Sequence, residues 1–380
     1  MMKIEFNQLV DRIMMKRIVC LLLALILLIG IDAVAQIQIP GGPIRPPVPP
    51  AKQRTKPKAK ARPKKTATQK VEYYDVTFSC NAYDANLYID GDYIDDANTA
   101  YTLKAGSHKV EVVTDYYNDY TSTINVSNSN KSFNLNLTEK TDAESQFQLA
   151  TNYYEGRNGF PQDYYQAAKR FLNAAEKGHA EAQNWIGYCY YHGCGVGQSD
   201  EQAAKWYLKA AEQGLATAQN NIGYCYMRGH GVKQNTDEGI NWYKKAASQG
   251  DADAQNNLGD YYLQKKDREQ AFKWFSKAAA QGDAAGQFNQ GFCYQRGIGV
   301  TADFKEAFKL FEKAALQGNA DAQYWLGYCY EQGYGTSMND DEAAKWYQKA
   351  IDQGVVEAQE HLEKINKRKK NSTVRITRKF

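Results

Sequence analysis

The sequence predicts an α+β multidomain protein in which an all-α solenoid of helix-turn-helix repeats follows a small antiparallel β-sandwich. Three observations predict this fold class. A similar block of roughly 36 residues recurs from residue 143 onward, residues 71–138 alternate between apolar and polar side chains, and the composition changes sharply near residues 35 and 70. A period of this length, filled by two amphipathic segments, is typical of a solenoid in which each repeat contacts only its neighbours.

The N-terminal residues 1–35 have the organisation of a secretory signal peptide. Lys16 and Arg17 precede the 12 apolar residues IVCLLLALILLI, and Ala33-Val34-Ala35 follows as a small-residue cleavage site. The apolar run is shorter than the roughly 20 residues that span a bilayer. We expect cleavage after Ala35 and an exported protein in the periplasm, on the cell surface or secreted. An uncleaved N-terminal membrane anchor is the alternative.

Residues 36–70 form a Pro/Lys-rich segment that is expected to be a disordered linker. The segment contains no acidic residue, and nine Lys or Arg residues lie between Lys52 and Lys70. Repeated prolines favour extended polyproline II, and the composition cannot bury a core. Two roles remain open: a solvated spacer, or electrostatic adhesion to an anionic membrane surface or cell-envelope polymer.

Residues 71–138 predict five to seven short strands in a small antiparallel sandwich. The segments DVTFSC, NLYIDG, HKVEVVT, STINV and SFNLNL alternate with a period of two, and turn signals such as Asp90-Gly91 separate them. The stretches DANLYIDGDYI and YTLKAGSHKVEVV resemble a PEGA domain. Only Ala85 remains of the Pro-Glu-Gly-Ala motif of that family, so the resemblance implies the sandwich without a shared ligand.

The repeats occupy residues 143–366 and share one internal plan. Gly187, for example, lies at the centre of a first amphipathic segment, where a missing side chain lets a neighbouring helix approach closely. The second segment carries a tryptophan in four units, and we predict these tryptophans to be its large core residues. The units open at Ala143, Ala180, Ala216, Ala252, Ala284 and Ala320, with a half-unit at Val356, and the tryptophans are Trp206, Trp242, Trp274 and Trp346.

The unit AEAQNWIGYCYYHGCGVGQSDEQAAKWYLKAAEQG resembles a Sel1-like repeat, a relative of the tetratricopeptide repeat. The resemblance covers residues 143–366 as about six repeats and a terminal helix. It implies a superhelix that recognises other proteins through its inner, concave surface. The last residues, 367–380, are strongly basic and are expected to form a tail.

The segment GYCYYHGCGVGQSD brings Cys189, His192 and Cys194 into six residues, which raises the question of a metal site or a phosphate-binding loop. The other units do not combine two cysteines and a histidine at these positions, and four ligands at zinc-finger spacing are missing. We therefore expect no metal and no cofactor. Gly193 is predicted to end the first helix in a left-handed conformation, and the cysteines that recur at the Cys189 position are expected to be buried, free thiols.

The charge distribution argues against nucleic acid as a partner. The chain carries a net charge of +4, but residues 71–360 contain 25 Lys and Arg against 39 Asp and Glu, so the predicted folded part is acidic. With five histidines, no nucleophile elbow and short loops, the chain is not expected to be an enzyme; a hydrolase is the less favoured alternative.

We predict that a protein or peptide partner binds one face of the first helices. When the opening residue of each unit is counted as position 1, positions 2, 5, 9, 12 and 13 fall on one narrow helical face. This face is rich in the Tyr, Phe, Met and Arg residues that interface cores favour, and its asparagines suit a peptide backbone. An adhesion protein that binds an envelope polymer through the PEGA-like domain and linker is the alternative. The predicted partner-binding residues are Asn184, Tyr188, His192, Asn220, Tyr224, Met227, Arg228, Phe288, Phe292, Arg296, Tyr324 and Tyr328.

Overall fold

A computed structural model describes residues 72–377 of the chain, apart from residues 97 and 99. The predicted signal peptide and the predicted linker at residues 36–70 lie outside the described residues.

Seven strands form a β-sandwich at the start of the described chain: β1 (Tyr73–Cys80), β2 (Asn86–Ile89), β3 (Asp92–Asp96), β4 (Ala100–Lys104), β5 (Gly106–Val113), β6 (Tyr120–Val126) and β7 (Ser132–Leu135). One sheet has the order β4-β1-β7 and the other β3-β2-β5-β6. Val76 and Phe78 are buried between exposed residues of β1, as the period-two pattern predicts. Among the described strands, neighbours are antiparallel except β1 and β7, which pair in parallel, so the antiparallel prediction is corrected at this pair.

Thirteen helices follow within the described residues, as six pairs and one last helix. The pairs are α1 (Ala143–Glu155) with α2 (Tyr164–Glu176), α3 (Ala180–His192) with α4 (Asp200–Glu212), α5 (Ala216–Arg228) with α6 (Thr236–Ser248), α7 (Ala252–Gln264) with α8 (Arg268–Ala280), α9 (Ala284–Arg296) with α10 (Phe304–Leu316), and α11 (Ala320–Gln332) with α12 (Asp340–Asp352). The last helix is α13 (Glu357–Thr377). Each pair is one predicted repeat, and the stacked pairs form the predicted solenoid.

The predicted boundary between the solenoid and a basic tail is wrong. Helix α13 continues through residue 366 to Thr377. Ile365 is fully buried, and the basic residues just beyond it bind the preceding repeat: Arg368 contacts Glu331 and Asp340, and Lys369 contacts Asp341. These contacts make the start of the predicted tail part of the last docked helix.

In the first helix of each repeat from α3 to α11, a glycine lets an aromatic ring of the second helix of that repeat lie against the backbone. A methyl group at Gly187 would lie 2.8 Å from the Tyr207 ring, and one at Gly223 would lie 2.7 Å from the Tyr243 ring. Both tyrosines are buried. The predicted close approach is therefore confirmed, and it recurs at Gly259, Gly291 and Gly327 against Phe275, Phe311 and Tyr347.

The tryptophans are not the innermost residues of the second helices. Trp206 and Trp242 are buried, but Trp274 and Trp346 are only half-buried. Lys209 Nζ lies 4.0 Å from the Trp206 ring centroid, and lysines cover the other three indoles at 3.7–3.9 Å. The prediction that these tryptophans are the large core residues is corrected, because the aromatic residue that follows each one packs against the glycine and fills the core.

Buried glutamines join successive repeats. Gln183 Nε2 donates to the carbonyl oxygen of Ala175 in the preceding repeat at 3.0 Å, and Gln183 Oε1 accepts from Gln213 at 2.7 Å. Because both ends of these amides are hydrogen-bonded, their burial avoids the free-energy cost of an unpaired polar group. The bonds also help to set the register of the stack. The same pair of bonds recurs at Gln219, Gln255 and Gln323.

Two glycines separated by one residue follow α3, α5, α9 and α11, as Gly193 and Gly195 do after α3, and the two have separate roles. Gly193 ends α3 with a φ of 72°, which confirms the predicted left-handed helix end. Gly195 has a φ of 74°, and a methyl group there would lie 2.0 Å from the carbonyl oxygen of Tyr164. The second glycine therefore lets the loop of one repeat touch the start of the preceding second helix.

The β-sandwich packs directly on the first repeat. Phe160, in the loop between α1 and α2, lies 5.0 Å from the ring of Tyr83 and 5.9 Å from that of Tyr116. Arg170 on α2 forms an ion pair with Glu139 in the segment that leaves the sandwich. The described helices include none that is both long enough and apolar enough to cross a membrane.

Candidate partner-binding face

The predicted partner-binding residues lie on one side of α3, α5, α9 and α11, at positions 5, 9, 12 and 13 of each helix. We call this surface, together with the matching positions of α7, the first-helix face. The structure divides its positions by depth. Position 5 is buried or half-buried between neighbouring repeats, position 9 is mostly half-buried, and position 13 is exposed.

The asparagines of the face are not available to a partner. Asn184 and Asn220 are 0% and 3% exposed. Asn221 Nδ2 donates to Asn184 Oδ1, and Asn257 Nδ2 donates to Asn220 Oδ1, both at 2.9 Å. The prediction that these asparagines bind a peptide backbone is wrong, because position 5 faces the next repeat and its amide is used there.

Phe288 has the same buried position on α9 and is 8% exposed. Its ring lies 5.9 Å from that of Phe311 in the partner helix of the same repeat. We therefore assign Phe288 to the core of the solenoid and not to the partner-binding surface.

An aromatic ring at position 9 lies beneath a polar group at position 13 in three repeats. The rings of Tyr188 and His192 are 4.3 Å apart, and the guanidinium of Arg228 lies 6.0 Å from the Tyr224 ring centroid. Arg296 lies 5.6 Å from the ring centroid of Phe292, itself 8% exposed, and equally far from that of Trp325. Such cation–π contacts hold the arginines over the rings while their polar edges stay in water.

Burial sets the protonation of the titratable groups on this face. It raises the pKa of the Tyr188 hydroxyl and lowers the pKa of the His192 imidazole. His192 is therefore uncharged at neutral pH, and Arg228 and Arg296 supply the positive charge of the face. Met227, at position 12 of α5, is half-buried and packs on Gly239 of α6.

Helix α13 covers part of the face at the last repeat. The His361 ring lies 5.8 Å from that of Tyr324 and 5.7 Å from that of Tyr328. The Tyr324 hydroxyl is also 3.4 Å from His361 Nε2. Tyr324 is thus engaged in docking α13, whereas Tyr328 stays half-buried at the edge of the face.

Asp260 is a residue of this face that the sequence reasoning missed. It occupies position 9 of α7, where the neighbouring first helices carry tyrosine or phenylalanine, and it is 9% exposed. Its Oδ1 has no hydrogen-bond partner in the described chain, and burial raises the pKa of its carboxyl to about 8. The sequence signal was a single acidic residue at position 9, where the other first helices from α3 to α11 carry an aromatic residue.

The recurring cysteines have the predicted character. Cys189, Cys225, Cys293 and Cys329 are buried, free thiols, and burial raises each pKa to about 12. Within residues 72–377 as described, no cluster of three or more His, Cys, Asp or Glu side chains could hold a metal ion.

Two protein-family models match the chain. The Sel1 repeat model matches residues 143–179, 180–215, 216–251, 252–283, 284–319 and 320–355, which confirms the six predicted unit starts. The PEGA domain model matches residues 73–142. No curated protein matches the chain.

Two solved structures of helical repeat proteins are similar to this chain. A protective antigen from uropathogenic Escherichia coli strains, which displays an SLR fold, is 36% identical over 58% of this chain, with a TM-score of 0.50. The match covers 48% of the antigen, so the chain spans about half of its length. A Sel1 repeat protein from Oxalobacter formigenes is 33% identical over 57% of this chain and 86% of its own, with a TM-score of 0.51.

Proposed function

Because the chain belongs to the Sel1 repeat family, whose members mediate protein–protein interaction, we propose that it is a non-catalytic scaffold that binds a protein or peptide partner along the first-helix face. One observation carries the proposal: the row of aromatic rings at position 9, each beneath an exposed polar group at position 13. The row consists of Tyr188 with His192, Tyr224 with Arg228, and Phe292 with Arg296.

This arrangement suits the recognition of an extended protein segment. Tyrosine and arginine are enriched among residues that dominate binding energy, and the half-buried rings of Tyr188 and Tyr224 offer apolar area that a partner can cover. The contacts of Arg228 and Arg296 with rings restrict both side chains before binding, which lowers the entropy lost on association. Tyr328 and Met227 extend the same surface at neighbouring positions.

The chemistry of the thiols supports a non-catalytic role. A nucleophilic cysteine needs a lowered pKa and access to solvent. Cys189 and its three counterparts have raised pKa values and are buried in the stack. They act as small core residues.

We place the scaffold outside the cytoplasm, in the periplasm, on the cell surface or secreted. Residues 1–35 support this placement by their basic start, short apolar run and small-residue cleavage site. The basic linker at residues 36–70 would then separate the folded part from the membrane or approach an anionic envelope polymer.

Proximity labelling in the producing cell, followed by charge reversal, tests the proposed function. We expect Arg228→Glu combined with Arg296→Glu to reduce labelling of the main protein partner at least about tenfold, since two anchors would be lost and reversed. The control is Lys244→Glu with Lys273→Glu, which makes the same charge change at exposed positions of second helices.

Equal loss in both double variants would show that net charge and not the first-helix face controls the interaction. Retention in the cell envelope distinguishes the adhesion alternative from partner binding by the first-helix face. If deletion of residues 52–70 releases the protein from the envelope and abolishes labelling, while the double arginine variant changes nothing, the linker and not the solenoid carries the function.

A further inference from the structure

Asp260 interrupts the aromatic column of the first-helix face. Position 9 is Tyr188 in α3, Tyr224 in α5, Phe292 in α9 and Tyr328 in α11, but α7 carries a carboxyl group there. Helix α7 belongs to the fourth of the six repeats, so this carboxyl lies within the row of rings and not at its end. The side chain is 9% exposed, between the half-buried rings before it and the buried ring after it.

No cationic group of the described chain offsets this carboxyl. Asp260 Oδ1 has no hydrogen-bond partner, and burial is the one cause that raises its pKa to about 8. The titratable groups that face it across the helix contacts are Tyr243 on α6 and Cys293 on α9. Burial raises the pKa of both groups, so both are neutral near pH 7, and neither a phenol nor a thiol can supply a positive charge.

Two asparagine oxygens on α7 and α9 are unpaired as well among the described residues. Asn257 Oδ1, three residues earlier on α7, and Asn289 Oδ1 on α9 are also buried without a partner in the described chain. Asn289 lies close to α7, because its Nδ2 is 3.4 Å from Oδ1 of Asn256, one helical turn before Asp260. Unpaired oxygens of this kind destabilise a buried site unless a donor reaches them.

We propose that Asp260 anchors a lysine or arginine side chain of the protein segment bound along the first-helix face. This inference rests on the proposed function and assigns the chemistry of the partner at one point. An ammonium group has three donors and a guanidinium has five, so either can supply the hydrogen bond that Asp260 Oδ1 lacks. The neighbouring rings of Tyr224 and Phe292 suit the apolar stem of such a side chain.

Other ligand chemistries fit this point poorly. An ionised acidic side chain has no hydrogen-bond donor for Asp260 Oδ1, and an apolar side chain would leave that oxygen unpaired. A cation also favours the ionised form of Asp260, so binding releases a proton below about pH 8.

Selection of a displayed library of random 12-residue peptides on the full chain tests the proposal. We expect enriched peptides to share one Lys or Arg at a fixed position, and replacement of that residue by uncharged citrulline or norleucine to weaken binding about 30-fold, the size of a charge-assisted hydrogen-bonded contact. Asp260→Asn should abolish this difference. Asp237→Asn, which removes a charge from an exposed position on α6, should preserve it.

The pH dependence supplies a second readout. Binding of the basic peptide should tighten as the pH rises from 6 to 8, by at most about tenfold per pH unit, and should level off above the pKa of Asp260. The citrulline or norleucine peptide should not show this change. A difference between the two peptides that is independent of pH would contradict the proposal.

Three further outcomes would overturn the inference in distinguishable ways. Enriched peptides without a fixed basic residue, but sensitive to the Arg228 and Arg296 reversals, would retain the proposed function and reject the role of Asp260. Peptides that are insensitive to both changes would reject the proposed function as well. Competition by a synthetic peptide of residues 52–70 that depends on Asp260 would assign the cation to the chain's own linker instead of a separate partner.

The stability of Asp260→Asn guards against a purely structural explanation. The variant should fold and should have a higher Tm than the wild-type protein at pH 8, because it removes an ionisable group that burial disfavours. A lower Tm would show that Asp260 holds the stack together, and the inference would fall.

Discussion

Single glycines set the distance between the two helices of a repeat. Glycine in the middle of a helix costs roughly 1 kcal/mol relative to alanine. At Gly223 that cost is offset because the Tyr243 ring occupies the space of the missing side chain, only 2.7 Å from where a methyl carbon would lie. The Tyr243 ring can therefore be buried against this helix because Gly223 has no Cβ atom.

Gly223→Ala should destabilise the solenoid despite the better helix propensity of alanine. The added methyl group would overlap Tyr243, and overpacking of this kind costs about 1–3 kcal/mol. Urea unfolding followed by circular dichroism measures the change. Gly197→Ala, in the loop before α4, is the control for an added methyl group without a clash, since a methyl group there has no atom within 4 Å and the φ of Gly197 is not positive; equal stability of the two variants would contradict the explanation.

At the scale of elements, a cluster of hydrogen bonds around one buried glutamate docks helix α13. Glu331 on α11 is 3% exposed and accepts hydrogen bonds from the Tyr347 hydroxyl at 2.9 Å and from Arg368 at 2.9 Å, with His361 Nδ1 at 2.7 Å. Burial alone would raise the pKa of Glu331. The hydrogen bonds with His361 and Tyr347 and the charges of His361 and Arg368 hold it below the ordinary value of 4.5.

Glu331→Ala should loosen α13 while the six repeats stay folded. The change removes the buried carboxylate that His361 and Arg368 share, and the charge-assisted hydrogen bonds lost with it are stronger than neutral ones. We expect hydrogen exchange of the α13 amides to accelerate at least about tenfold. Asp341→Ala, which removes the exposed ion pair with Lys369, should change it less than about threefold.

Acidification should act on α13 in the same direction. Because the folded pKa of Glu331 is lowered, its contribution to docking is present above about pH 4.5 and is lost as the pH falls through the folded value.

If the α13 amides of the Glu331→Ala variant exchange as slowly as those of the wild-type protein at neutral pH, the cluster does not dock the helix.

For the whole molecule, the β-sandwich and α13 close the two ends of the repeat stack. A terminal repeat has one open face that would expose apolar surface. At the first end, Phe160 is 2% exposed between the sandwich and α1. At the other end, an exposed glutamate, Glu363, occupies the α13 position that matches the buried glycines of the first helices, so this face of α13 is polar.

Phe160→Ala should uncouple the sandwich from the first repeat. Loss of a buried phenylalanine costs about 3 kcal/mol or more, and here the lost contacts join two domains. In differential scanning calorimetry, the unfolding transition of the Phe160→Ala variant should split into two or shift to a lower temperature than that of the wild-type protein. Phe304→Ala, at a ring that is 43% exposed at the start of α10, is the control and should shift the transition little; similar curves for both variants would contradict the capping role.

Much of the architecture could be predicted because its causes are local and repeated. The six unit starts, the helix end at Gly193 and the close approach at Gly187 each depend on residues within one unit. The choice between Trp206 and Tyr207 as the core residue could not be predicted. Both are large aromatic residues on adjacent positions, and only the packed helix pair shows which one faces the glycine.

The partner-binding face could be predicted as a helical surface but not residue by residue. Asn184 and Tyr188 lie on the same face of α3 by periodicity, yet one is buried against the next repeat and the other is half-buried. Asp260 attracts notice in the sequence only as an exception. Its lack of a partner becomes visible once α6, α7 and α9 are packed together.

The sequence by itself determined that this chain is a stack of six helix pairs behind a small sandwich, since each repeat carries its own periodicity, glycines and helix ends. Only the tertiary structure decided which side chains remain available, how far α13 extends and that the sandwich covers the first repeat. The physical reason is that burial and charge compensation depend on the neighbouring unit, which can be far away along the chain, whereas helix formation depends on residues within a few turns.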